Sequence, residues 1–455
     1  MKRPLLTSAA ALLLAAAFVA TPRAQAQSSI SYTSGIQVQN LSGSQANIQI
    51  EFYDANSGNL ISGATVSDQV LANSNKSYFP LPSSLGATFT GSAVVSSDQP
   101  VAAITNLLGN SGMYGGSATG LSAGSTTVNL PLVMRGNSGF NTFFSVQNTG
   151  TGDANVTITY KKGSVGNDGV TQTSLIKPGA SKTFDQAGMT QLGTKFIGSA
   201  TITSDQPVAA MVSQVGTGGI NTLLMYSGLN SGSPTVSAPL IMANNSGYFS
   251  SINMQNVGAT ATTATITYSP NKGGTFQPAN ETVTLQPGEG AARLQAGGQF
   301  GANKYIGSAT ITASQPLVVV VNQLKIGTAT TSQGTAYEGF NPATLTTKVS
   351  APLLMSNNGG YFTSLQCQNA GGSTTTVTIT YSPNTVGAGT PAPDTMTLAP
   401  GANATVFQAG NAKFAGRYIG AATISSSSEK IACITNQLNL TAAGDTFLTY
   451  DGINY

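Results

Sequence analysis

GSATITSDQPVAA, residues 198–210, decides how the chain is read, because it recurs. GSAVVSSDQPVAA begins at Gly91, GSATITASQPLVV at Gly307 and GAATISSSSEKIAC at Gly420. Apolar and small polar residues alternate through it with period two, and β-branched residues dominate, as in a half-buried strand. Two further landmarks keep the same spacing. A Gln-Asn pair stands at Gln39-Asn40, Gln147-Asn148, Gln255-Asn256 and Gln368-Asn369, intervals of 108, 108 and 113. An aromatic lies eight residues before each Asn, at Tyr32, Phe140, Tyr248 and Tyr361, and Tyr-x-Gly recurs at Tyr114, Tyr226, Tyr337 and Tyr450. Landmarks sharing one period define four repeats, 27–124, 125–233, 234–343 and 344–455.

Each repeat reads as β throughout. Val156-Thr-Ile-Thr-Tyr160, Ala264-Thr-Ile-Thr-Tyr268 and Val377-Thr-Ile-Thr-Tyr381 alternate in the same way, and no segment beyond the N-terminal apolar stretch has helical spacing. Pro178-Gly179, Pro287-Gly288 and Pro400-Gly401 suit type II turns, with Pro presetting φ and Gly taking φ > 0. Asp98-Gln-Pro100 and Asp205-Gln-Pro207 are read as reversals between strands, and Asn-Ser-Gly at 137–139 and 245–247, with Asn-Gly-Gly at 358–360, as further turns. Seven or eight short strands per repeat is the arithmetic of an antiparallel sandwich. The expected fold is all-β, a tandem array of four antiparallel immunoglobulin-like β-sandwiches; one closed barrel is the alternative. A membrane barrel needs longer strands with an unbroken lipid-facing band, which runs rich in Thr and broken by Pro-Gly do not supply.

Composition narrows function. Among 455 residues 33 are charged, about 7 %, and His and Trp are absent, so imidazole chemistry is excluded and with it most hydrolase mechanisms. Lys2 and Arg3, an apolar run from Leu5 to Val19 and Ala24-Gln25-Ala26 read as a signal peptide over residues 1–26. Its removal takes Lys2, Arg3 and Arg23 and leaves 15 basic against 15 acidic groups, so the pI of 8.7 gives no reason to expect nucleic acid. No later run has the length of a membrane span. Export without a transmembrane segment, to the extracellular space or cell surface, is the expectation.

Repeats two to four each open with an apolar segment, Val128 to Met134, Val236 to Met242 and Val349 to Met355. The first repeat has too few residues between Gln27 and Tyr32 for one, so a sandwich one strand short is expected, with an edge open to strand addition. Cys367 and Cys433 align with apolar residues of the other repeats, so both are expected in the core; in an exported chain a disulfide between them, on strands of opposed sheets, is plausible. The acids are scattered, with no calcium loop and no paired carboxylates at short spacing. Asp98 and Asp205 fit turn capping, Lys161-Lys162 a solvated strand end, and the Gly-rich stretches 108–125 and 227–233 flexible connectors. The recurring aromatics fit packing better than sugar stacking.

The succession Val-Gln-Asn-x-Gly, Thr-Ile-Thr-Tyr, Pro-Gly-Ala and GSATITSDQPVAA over 146–210 resembles the immunoglobulin-like repeat modules of bacterial secreted and cell-surface proteins. The fourth repeat departs from it, with Ser-Ser-Glu-Lys430 in place of Asp-Gln-Pro. The resemblance implies stalks, surface layers, adhesins or filament subunits. The reading is therefore a non-enzymatic structural protein of the cell surface, self-assembling or decorating an extracellular filament, layer or stalk. Its partners would be itself or other surface proteins, strand donation is one route, and no catalytic residue, metal or cofactor is expected. An adhesin or glycan-binding protein is the alternative.

Overall fold

A computed structural model describes residues 12–14, 30–414 and 416–455. The expected signal peptide lies outside the described residues apart from Leu12–Leu14. The first unit contains β1 (Leu12–Leu14), β2 (Tyr32–Asn40), β3 (Ala46–Asp54), β4 (Val66–Val70), β5 (Asn75–Tyr78), β6 (Gly91–Ser97), β7 (Val101–Gly109) and β8 (Tyr114–Thr119). The second has β9 (Ser125–Arg135), β10 (Phe140–Asn148), β11 (Ala154–Val165), β12 (Thr171–Ile176), β13 (Ser181–Asp185), β14 (Phe196–Gly216) and β15 (Leu223–Ser227). The third repeats this as β16 (Ser233–Ala243), β17 (Phe249–Asn256), β18 (Thr262–Tyr268), β19 (Glu281–Leu285), β20 (Gly290–Leu294), β21 (Tyr305–Lys325) and β22 (Gln333–Glu338). The fourth has β23 (Lys348–Ser356), β24 (Phe362–Asn369), β25 (Thr375–Tyr381), β26 (Asp394–Leu398), β27 (Asn403–Phe407), β28 (Tyr418–Ser426), β29 (Ile431–Leu438), β30 (Phe447–Asp451) and β31 (Ile453–Asn454).

The chain is all-β, in multiple antiparallel sheets. In the first unit the sheets run β4-β3-β6-β1 and β5-β2-β7-β8, and in the fourth β26-β25-β28-β23-β31 and β27-β24-β29-β30. The middle units keep the same pairings, but β14 and β21, 21 residues each, pass unbroken from one sheet to the other. The Asp-Gln-Pro segments are therefore crossings between sheets, not reversals. Pro207 brings no N–H to the ladder at the crossing, and its carbonyl accepts the N–H of Thr149 at 2.9 Å. Asp205 accepts the backbone and side-chain N–H groups of Asn155 at 2.8 and 2.6 Å, and Asp98 does the same for Asn47. Pairing also departs from the immunoglobulin order, in which the first strand lies beside the second: here β9 pairs not with β10 but along the first half of β14, while β15 pairs along its second half.

Alternation places the core as expected. Ala154, Val156, Ile158 and Tyr160 of β11 are buried, while Asn155 and Thr159 face solvent. Gly179, Gly288 and Gly401 take φ of 75°, 76° and 70° after their prolines, closing the expected turns.

The four units close into a ring, where a string with flexible connectors was expected. Strands β8, β15, β22 and β30 face one another around a common centre, and the stretches 108–125 and 227–233 contribute the buried β8 and the end of β15 rather than loose linkers. At every junction the same repeat position enters the preceding unit's core: Met211 in the first, Val320 in the second, Ile434 in the third and Ile104, from unit one, in the fourth. Amides pair across three junctions, buried Gln214 with Asn322 and Gln323 with Asn436, and buried Gln437 with half-buried Asn106, at 2.7–3.2 Å. At the first junction Leu107 and Ser213 hold the matching positions, and no amide pair forms.

Candidate functional site

The first unit fills one strand position differently from the other three. In units two to four the opening strand inserts beside the strand carrying the Gly-Ser-Ala motif, and a tyrosine locks it. The hydroxyls of Tyr226, Tyr337 and Tyr450 donate to the carbonyls of Leu132, Leu240 and Leu353 at 2.7, 2.7 and 2.5 Å. Register gives the matching residue of unit one as Ala118, because Thr119 pairs with Ile104 as Ser227 pairs with Met211. Tyr114 is therefore not the fourth member of the Tyr-x-Gly series; it starts β8 and its hydroxyl donates to Asn221 at 3.1 Å. The unit without the locking tyrosine is also the one whose strand at this position, β1, is shortest.

Backbone of Leu12–Leu14 occupies the position. Leu12, Leu13 and Leu14 pair with Val95, Val94 and Ala93, as Val128, Asn129 and Leu130 pair with Ile202, Thr201 and Ala200. The outer edge of this position is also defined: Leu229 and Phe340 bridge to Asn129 and Ser237, and Ile453 to Ser350, and Leu121 follows β8 at the equivalent place. Unit two contributes Phe143, Met211, Val215, Leu223 and Met225 to the first unit's core. The apolar segment 349–355 is buried as β23 in its own unit.

Two clefts open at the junctions flanking unit four. The one between units three and four, about 810 Å³, lies between Leu240, Met242 and Tyr248 on one side and Gln366, Asn403 and Phe407 on the other. The one between units four and one, about 440 Å³, repeats it with Leu353, Met355 and Tyr361 facing Gln37 and Phe79. Of the recurring aromatics, Tyr32, Phe140 and Tyr248 are buried to within 9 % exposure and Tyr361 is half-buried. Phe79 and Phe407, not singled out from the sequence, are 64 % and 55 % exposed. A signal was present: only repeats one and four carry Gln three residues before the motif Asn, where the others have Ser145 and Asn253.

Carboxylates meet at the ring's centre. Asp451 accepts the N–H of Glu338 at 3.1 Å and its own N–H donates to Thr119 Oγ1 at 3.0 Å, while Ser227 N–H donates to the Glu338 carboxylate. Burial, and then the Glu338 charge, push the Asp451 carboxyl well above its ordinary range. Asp445, wholly buried, accepts N–H groups from Leu223, Gly334 and Phe447 at 2.8, 3.0 and 3.4 Å, one from each of three units; burial nonetheless pushes its carboxyl well up. Among the described residues no group of three or more acidic or cysteine side chains converges as a metal site.

Cys367 and Cys433 are directly opposed on adjacent strands, β24 and β29, with sulfurs 2.07 Å apart. They share a sheet; the opposed sheets expected for them are not where they lie. Lys161 forms an ion pair with Asp168.

No family model matches the chain, and no curated protein does. Among solved structures, Thermotoga maritima 1070 aligns at 22 % identity over 23 % of this chain and 93 % of its own, with a TM-score of 0.21. A glycoside hydrolase family 32 protein from Bifidobacterium adolescentis aligns at 8 % identity over 91 % of this chain and 98 % of its own, with a TM-score of 0.13. At these scores neither likeness bears on what this chain does. Among the described residues no helix is long and apolar enough to cross a membrane.

Proposed function

We propose that this is an exported, non-catalytic structural protein of the cell surface, built of four sandwich units of the kind found in bacterial surface-protein repeats and joined to an extracellular assembly by strand addition at unit one. The observation that carries the reading is the strand position beside β6, filled in the precursor by residues of the expected leader and left with an unpaired backbone edge once residues 1–26 are removed. Unpaired N–H and C=O groups bordering an apolar core are a template for an incoming strand. Because β9, β16 and β23 are enclosed in their own units, the incoming strand belongs to an extended segment of a second polypeptide, another surface protein or a further copy.

The test uses residues 27–455. Electron microscopy and light scattering across concentrations are expected to show fibres or sheets, and a peptide of residues 125–135, the strand that fills this position in unit two, to bind, raise the melting temperature and suppress assembly. Monodisperse particles at every concentration with no thermal shift at saturating peptide would overturn the proposal. The junction clefts favour a second reading, ligand capture at the surface, developed next.

A further inference from the structure

We propose that the two clefts flanking unit four bind an acidic saccharide, a pyranose chain bearing carboxylates, independently of strand addition at unit one. Three observations meet there. The cleft between units three and four holds buried amides with one edge unpaired: Gln366 and Asn403 are each 2 % exposed and donate to Ser364 Oγ and the Pro239 carbonyl, but Gln366 Oε1 and Asn403 Oδ1 accept no hydrogen bond. At the next junction Gln37, 4 % exposed and at the same place in the repeat as Gln366, leaves Nε2 unbonded. Buried amide edges left unpaired cost free energy, and a hydroxyl, both donor and acceptor, satisfies either edge.

Each cleft also offers an apolar platform at its mouth, Phe407 in one and Phe79 in the other, suited to the C–H face of a sugar ring. The charge lining the clefts is of one sign. Lys272 and Lys325 line the first and Arg417 the second, with no Asp or Glu in either lining; the Lys325 ammonium lies 5.4 Å from the Tyr248 ring centroid. A fatty acid would leave the amides unmatched, and a neutral sugar would leave the cations unused. Platform, amide and cation together select a hydroxylated ring with a carboxylate. The junctions on the other side of the ring lack the set: Leu294 and Asp185 replace the phenylalanines, and Asn253 and Ser145 replace the glutamines.

Titration calorimetry of residues 27–455 with tetragalacturonate, against neutral galactotetraose, tests the proposal. The uronate is expected to bind at least tenfold more tightly than the neutral sugar. Phe407→Ala together with Phe79→Ala should weaken it tenfold or more, and Lys272→Gln and Lys325→Gln combined with Arg417→Gln, which neutralise both clefts, should remove most of the preference without altering neutral binding. Phe407 and Phe79 are exposed, so circular dichroism and melting temperature are expected to stay unchanged and to separate lost binding from lost fold. No uronate binding at millimolar concentration, equal binding of the neutral sugar, or binding that survives the double phenylalanine variant would each overturn the assignment.

Discussion

The asparagine of the repeated Gln-Asn pair is a clamp. Asn148 accepts the N–H of Gly150 at 2.9 Å and donates to the carbonyls of Gly152 and Ile176 at 2.7 and 2.8 Å, fastening the loop after β10 to the end of β12. Asn40, Asn256 and Asn369 repeat the arrangement. Because Asn148 is fully buried, Asn148→Ala strands groups on both segments, and a loss of about 3 kcal/mol is expected in urea unfolding. Tyr337→Phe removes one bond to Leu240 and is expected to cost about 1–2 kcal/mol. The central carboxylates set a pH dependence. Asp445 and Asp451 have folded pKa values raised above the ordinary 3.8, so above that pH the folded state holds protons the unfolded state has released, and stability falls as pH rises through the window between the two values. In Asp451→Asn, a side-chain N–H takes the place of the carboxyl proton facing Glu338. Its melting temperature is expected to decline less between pH 4 and 8 than that of the parent; an unchanged slope would assign the dependence to other groups.

Among elements, the paired β24 and β29 carry the one cysteine pair of the chain. Closing a loop of 66 residues stabilises by about 4 kcal/mol in the chain-entropy model. Denatured, unreduced protein is expected to show no thiols reactive with Ellman's reagent. A Cys367→Val, Cys433→Ala variant, which restores the residues of unit two, Val146 and Ala210, is expected to fold with a lower melting temperature. Strand identity and turns were legible from period-two alternation and from Pro-Gly spacing, since both are local. Which strand neighbours which was not, because β14 and β21 each serve two sheets and the crossing at Pro207 or Pro316 has the same composition as a hairpin turn.

Across the whole molecule, closure of unit four on unit one predicts a compact particle. A globule of this length has a radius of gyration of about 23 Å, whereas four sandwiches on a string would give roughly twice that; small-angle scattering of residues 27–455 decides between them. The β class and the buried cysteine positions followed from the sequence alone, because composition, alternation and period act within a strand or between copies. The ring, the locking tyrosines with Ala118 in place of the fourth, the amide pairs across junctions and the clefts beside unit four were decided by tertiary structure. Each depends on residues more than 90 positions apart meeting face to face, and period-two alternation says which side of a strand a residue takes but not whether a second unit lies against it.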